Sequence, residues 1–409
     1  MGKRVSSDEM QNIFKILQKS YDVYGPKIYQ GTGCFSDTDV VRYGLLNSWE
    51  EIVWNQKSDY SFKEVLLPIS ETILYFTENE MKTADGAARQ RLIFLKSCDF
   101  HALKRLDDMY LKNGAEDYYY RRMRENTVFA VMGCKESGKN CFCVSMGTNR
   151  CEEYDMYIFQ DENGCYMELK CRELEELLWD YGQNVQEKPI FVENNEVHVE
   201  VPEKLSNTIH QDSMWQEYGS RCIGCGRCNF VCPTCTCFTM QDIFYKDNPK
   251  AGERRRVWAS CQVDGYSDIA GGHSFRQSQG ERMRFKVLHK ISDHKKRFGY
   301  HMCVGCGRCL GACNFDAITF DEYNANEMLN ARMAEYTKAV VDGRPNFHIS
   351  LILDVSPNCD CHRENDTPIL PNIGMFASFD PLALDQACVD ACLAANPMPN
   401  SQLSDNLKK

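Results

Sequence analysis

The sequence predicts an α/β amino-terminal domain over residues 1–205, an α-helical domain built on a repeated cysteine run over 206–320, and a small α/β extension over 321–409. Three observations carry this. Arg91–Leu95 and Thr127–Met132 are short apolar runs of strand length that bracket a helix-like stretch from Phe100 to Lys112. Strand, helix and strand within about 40 residues make an α/β unit. Two runs, Cys222-Ile-Gly-Cys225-Gly-Arg-Cys228-Asn-Phe-Val-Cys232 and Cys303-Val-Gly-Cys306-Gly-Arg-Cys309-Leu-Gly-Ala-Cys313, share one C-x2-C-x2-C-x3-C spacing. After Phe320 comes helix-like Asn326–Val341, then apolar Ile349–Val355, then helix-like Pro381–Ala394.

The remaining elements follow in order. Ile13, Phe14, Ile16 and Leu17 recur at helical spacing, so residues 8–20 are predicted helical. Val65–Ile69 and Ile73–Phe76 are read as short buried strands, Glu173–Tyr181 as a helix and Ile190–Val201 as a β segment. The 71 positions from Cys232 to Cys303 exceed the short link of a compact ferredoxin. By analogy this favours an α-helical ferredoxin-like arrangement, with helices such as Phe285–Arg297 in the spacer.

Composition narrows the function classes. A chain of 409 residues accommodates two or three domains, and its net charge of −11 argues against a general affinity for nucleic acid. No apolar stretch approaches bilayer length, so no membrane partner is expected. The first ten residues lack the apolar core and cleavage site of a signal peptide. Without one, 23 cysteines predict metal binding in a reducing, cytoplasmic compartment, and the odd count rules out complete disulfide pairing.

The spacing of the two runs carries the chemistry. It wraps three thiolates round one iron–sulfur cube and sends the fourth to a second cube. Cys222, Cys225, Cys228 and Cys313 are thus predicted to hold one [4Fe-4S] cluster, and Cys303, Cys306, Cys309 and Cys232 the other. Glycines beside the thiolates let backbone amides approach the cluster. Pro233 turns the chain after the first run, where the second has Asn314. Structural zinc is the alternative, but this run is not a usual zinc layout.

Further cysteines form looser groups. Cys98 and Cys134 follow predicted strands, where α/β domains place ligands, and Cys141-Phe-Cys143 offers two thiolates from one loop. These four are candidates for a third cluster or are small buried hydrophobes. Cys235, Cys237 and Cys261 either support an extra metal or are buried thiols. Cys359, Cys361 and His362 are a second candidate metal group, which Cys388 and Cys392, four apart on a helix, would complete; the alternative is a turn with incidental cysteines. The basic stretches 252–256 and 289–297 either dock an acidic redox partner or are solvated faces. No nucleophile elbow, P-loop or dinucleotide fingerprint is present, so no catalytic site of the chain's own is expected.

Several stretches resemble a known family. Gly33-Cys-Phe-Ser-Asp-Thr-Asp-Val-Val-Arg-Tyr-Gly44, Lys104-Arg-Leu-Asp-Asp108, Asn140–Asn149, Cys232-Pro-Thr-Cys-Thr-Cys-Phe238, Arg254–Cys261 and Ala270–Arg276 resemble the iron–sulfur subunit of the anaerobic sulfite reductase. The resemblance covers residues 1 to about 302, about three quarters of the chain. The scaffold is similar, too, to the beta subunits of soluble sulfhydrogenases. The resemblance implies an electron-transfer subunit between a flavin subunit that oxidises NADH and a sirohaem subunit that reduces sulfite to sulfide. The sulfhydrogenase likeness implies a hydrogenase partner instead. In both families Cys134, Cys141 and Cys143 sit in a similar cysteine-rich loop, which favours a third cluster. From about Met302 the chain resembles the tail of ferredoxin-type proteins carrying a domain of unknown function, through Cys309–Ile318, Ala334–Val340, Asp354–His362 and Ile373–Asp385. The upstream body of that family is absent, as a fusion or joining error at the shared motif would leave it.

Overall fold

Burial alternates along the strand Gln90–Lys96: Leu92 and Phe94 pack into one core, Ile93 and Leu95 into another, and all four are fully buried. A strand covered on both faces belongs at the centre of a sheet with helices on either side. The computed structural model describes residues 2–33, 38–86, 89–313, 317–318, 326–358 and 366–407. Residues 1–31 with 39–318 form one compact unit, and residues 32–38 with 319–409 form a second.

The strands of the first unit used below are β1 (Gly2–Val5), β2 (Tyr21–Tyr29), β3 (Val40–Leu45), β4 (Ser70–Phe76), β5 (Met81–Thr83), β6 (Gln90–Lys96), β7 (Thr127–Met132), β8 (Met156–Asp161), β9 (Gly164–Leu169), β10 (Gln183–Val185), β11 (Phe238–Phe244) and β12 (Gly252–Trp258). Eight of them make a mixed sheet in the order β10-β1-β9-β8-β7-β6-β2-β3. Its centre is parallel, β2 with β6, β6 with β7 and β7 with β8, with Ile93 opposite Phe129 and Leu95 opposite Val131.

One face is covered by the helix Ser7–Ser20, which Ser6 and Glu9 close with a capping box and which buries Met10, Ile13, Phe14 and Leu17. The other face receives Leu103, Leu106 and Tyr110 of the helix Ser97–Leu111, and Tyr120 of Tyr118–Glu125. The expected helices at 8–20 and 100–112 and the strands at 91–95 and 127–132 are all present.

Three expectations need correction. Lys63–Leu66 is a single helical turn where the sequence predicts a strand over Val65–Ile69; the strand begins only at Ser70. Ile190–Val201 forms no ladder. Side chains satisfy its backbone instead: Tyr157 OH donates to Ile190 O (2.6 Å) and accepts from Ile190 N (2.8 Å), and Asn149 Nδ2 donates to Val192 O (2.8 Å). The spacer between the cysteine runs is helical only in its second half, where Gln279–Leu288, a π turn at His289–Asp293 and His294–Phe298 run on without a break, so the helix expected over Phe285–Arg297 is present. Its first half is the hairpin β11–β12, which extends a second antiparallel sheet in the order β11-β12-β4-β5. β12 pairs along β4 with a bulge between Arg254 and Arg255. Buried Arg256 reaches Glu71 (2.9 Å) and Asp117 (2.8 Å), so the spacer is tied to the amino-terminal part of the chain.

The second unit contains the helix Asn326–Val341, an antiparallel strand pair His348–Ile352 and Gly374–Ser378, and the helix Pro381–Ala394. Asp380 caps that last helix through the amides of Leu382 and Ala383, with Pro381 at its first position. Among the described residues no helix is long and apolar enough to cross a membrane.

Candidate iron–sulfur centres

The two cysteine runs fold alike because their glycines fall at matching left-handed positions: Gly224 and Gly226 at φ 71° and 77°, Gly305 and Gly307 at 62° and 70°. Other residues adopt this region at a cost. Each second glycine opens a one-turn helix, Arg227–Phe230 or Arg308–Gly311, that carries the third cysteine. The turns aim amides at sulfur. Gly224 N lies 3.4 Å from Cys222 Sγ, and the Gly305 amide donates to Cys303 and lowers its pKa against the larger upward push of burial.

The fourth cysteine of each run lies with the other run. Cys303 and Cys309 both feel the charge of Cys232. Cys313 and Cys309 pack with Cys222 and Cys228 around Trp215, Tyr218 and Met283. Cys309 therefore lies between the two groups. All eight cysteines are free thiols. Among the described residues no three side chains converge on a point that would hold a single metal ion. The donor set suits a cube, whose ligands surround a body rather than a point.

Buried ammonium groups supply the second half of the fit. Burial works against the charge of Lys286, but the cysteine sulfurs of Cys228, Cys235, Cys309 and Cys232 outweigh it and raise its pKa well above the ordinary value. Lys290 is held charged in the same way by Cys232 and Cys235, and it donates to Thr234 Oγ1 at 2.7 Å. An uncompensated buried cation is strongly destabilising, so these lysines require the anionic sulfur they face.

A third group assembles at the carboxyl ends of β6 and β7, the end of parallel strands where ligands sit. Cys98, Cys134, Cys141 and Cys143 line one cavity of about 610 Å³, together with Lys57, Lys96 and Trp54. Burial pushes the Cys98 thiol up, with Lys57 as the chief opposing charge. Lys57 Nζ donates to Cys141 Sγ (3.1 Å) and also to the carbonyl of Cys306. Cys141 Sγ itself lies 3.8 Å from that carbonyl. The cavity and the second cysteine run thus share a wall.

That wall is fixed by further contacts. Phe142 N donates to Gly305 O (2.8 Å), and Thr148 Oγ1 donates to Val304 O (2.6 Å). Arg308 forms a buried two-pronged ion pair with Asp99 (2.5 and 2.7 Å) and donates to Ser58 O and Oγ (both 2.9 Å).

The other candidates separate. Cys237 and Cys261 are in side-chain contact, Cys235 contacts Cys232, and the three do not gather round one metal. Cys359, Cys361 and His362 lie outside the described residues. Cys388 and Cys392 are free thiols on the helix Pro381–Ala394. The basic stretch 252–256 is largely neutralised, Arg254 by Asp242, Arg255 by Glu253 and Arg256 by Glu71 and Asp117. In the stretch 289–297, Lys290 turns inward to sulfur. Sequence reasoning missed Lys57, Lys286, Lys290 and the pair Asp99–Arg308. The signal for Lys286 and Lys290 was their spacing of four, which puts both on one helical face.

Comparison with known proteins agrees with this chemistry. The family described as a 4Fe-4S dicluster domain matches residues 221–317. The chain is 28% identical over 326 residues to the sulfhydrogenase 2 subunit beta of Pyrococcus furiosus, across 76% of this chain and 93% of that protein. The likeness falls on the second of the two families that the sequence resembles. The chain carries [4Fe-4S] clusters and is an iron–sulfur electron-transfer subunit.

Proposed function

We propose that this protein works in the cytoplasm, taking electrons from a flavin subunit that oxidises NADH and handing them singly to a sirohaem subunit that reduces sulfite to sulfide. The observation that carries a relay is the continuity of three cysteine groups. Cys98, Cys134, Cys141 and Cys143 adjoin Cys303, Cys306, Cys309 and Cys232 through the Cys306 carbonyl. Those in turn adjoin Cys222, Cys225, Cys228 and Cys313 through Cys309. Each group supplies four thiolates, the number a [4Fe-4S] cube takes. A chain of one-electron centres suits a donor that gives electrons in pairs and an acceptor that takes them one by one. The sulfite partner rests on the stretches between Gly33 and Arg276 described above. A hydrogenase partner is the second reading, favoured by the likeness to a sulfhydrogenase beta subunit.

Anaerobic purification of the native complex through a tag on this chain separates the two. Sirohaem and flavin subunits in the eluate support the sulfite reading. A nickel-containing subunit supports the hydrogenase reading. Zinc in place of iron and acid-labile sulfide overturns both.

A further inference from the structure

Cys237 and Cys261 stand apart from every group above, and their surroundings are built. Cys237 immediately precedes β11, and Cys261 follows the end of β12 by three residues; the Cys237 carbonyl accepts from Ala259 N at 3.0 Å. A turn through Ser260, closed by Val263 N to Ser260 O (3.1 Å), presents Cys261. There its side chain is in hydrogen-bond contact with that of Cys237. Two fully buried carboxamides point at the same sulfur: Asn229 Nδ2 lies 3.0 Å from Cys261 Sγ, and Gln262 Nε2 3.7 Å from it. The buried Gln262 Oε1 has no hydrogen-bond partner. The thiol of Cys237, followed by those carboxamides, draws the Cys261 pKa down to about 5 against the effect of burial. Cys261 thus has a second sulfur in hydrogen-bond contact and two carboxamide donors on its own sulfur, the surroundings of a reactive pair. The same Asn229 reaches the first cluster group, since its Oδ1 lies 3.9 Å from Cys228 Sγ. One carboxamide therefore bridges a cluster ligand and Cys261.

We infer that Cys237 and Cys261 form a redox-active dithiol–disulfide couple that exchanges electrons with the cluster bound by Cys222, Cys225, Cys228 and Cys313. This rests on the reading of Cys228 as a ligand of that cluster. In oxidation a sulfur–sulfur bond forms between the two side chains. Two electrons leave one at a time to the cluster, and each proton still on sulfur passes to solvent, which Cys237 partly meets. Reduction reverses each step. The couple lets the protein store an electron pair as well as relay single electrons.

The test uses the full chain, loaded with clusters and kept free of air. Samples are poised across a range of potentials with redox dyes and trapped with a maleimide mass tag, and peptides are read by mass spectrometry. The couple predicts a Cys237–Cys261 disulfide at the oxidising end and two tagged thiols at the reducing end, reversibly and at constant iron content. Cys261→Ser keeps the iron and its paramagnetic signal but lowers reductive electron uptake by two electrons per chain. If that variant does not fold, Cys237→Ser provides the same readout. Two tagged thiols at every potential with iron intact overturn the couple and leave the relay standing. Loss of iron or zinc on Cys261→Ser identifies a metal ligand and overturns it too. Wild-type protein without iron overturns the relay and the couple together.

Discussion

Lys286 faces four cysteines from inside the protein, and a cation there stabilises whichever cluster state carries more negative charge. Removing it disfavours reduction. Lys286→Met is expected to lower the midpoint of an adjacent cluster by ~60 mV, the one-electron equivalent of ~1.4 kcal/mol of lost attraction. Paramagnetic resonance during a potentiometric titration reads this, and an upward shift would contradict the role. Arg308 tests the wall between the groups. Its guanidinium is the partner of buried Asp99, so Arg308→Met strands a carboxylate and is expected to cost about 3–5 kcal/mol in denaturant unfolding. Adding Asp99→Asn to Arg308→Met should return a large part of that loss, since the two positions act as one pair. The eight cysteines of the two runs are legible as candidate ligands because their spacing is itself the signal. The lysines and the Asp99–Arg308 pair are not, because a charged residue reads as surface until the fold shows what it faces. Arg308 and Arg227 hold equivalent places in the runs, yet only Arg308 has Asp99 beside it.

At the scale of elements, the second run docks on the loop that carries Cys141 and Cys143 because Gly305 and Gly307 have no side chains. A Cβ at Gly307 would collide with the backbone carbonyl of Asn140, and its φ of 70° disfavours any other residue. Gly307→Ala is expected to lower iron by about four to eight atoms per chain, from the Cys98–Cys143 group and from the cube that the second run itself holds, while the cube of the first run stays. Iron content unchanged from wild type would show that this contact does not shape the site. Strong periodicity makes Ser7–Ser20 and Thr127–Met132 readable from sequence. Ile190–Val201 misleads because its alternation resembles a strand, whereas Tyr157 and Asn149 bind its backbone in place of a neighbouring strand. The hairpin β11–β12 escapes a sequence reading since its partner, β4, lies far away along the chain. Cys98 and Cys134 do follow strands, as expected, and the sheet order then sets those strands side by side.

At the scale of the whole molecule, all twelve cysteines of the three groups lie in the first unit, before residue 319. The second unit exposes large apolar side chains, including Leu382 and Leu393 at 79% and 80% and Leu351 at 63%. Deleting 319–409 is expected to leave iron content and cluster spectra unchanged and to improve solubility. Loss of iron on that deletion would give the tail a part in cluster binding. We propose that the first unit binds three four-thiolate cubes, two of them through the repeated runs. Iron and acid-labile sulfide per chain, on protein purified without air, count them for the wild type and for Cys141→Ser. About twelve of each are expected in the wild type and about eight in the variant, counted at four per cube. Equal values in the two proteins would contradict the third centre, and zinc without labile sulfide would contradict the whole.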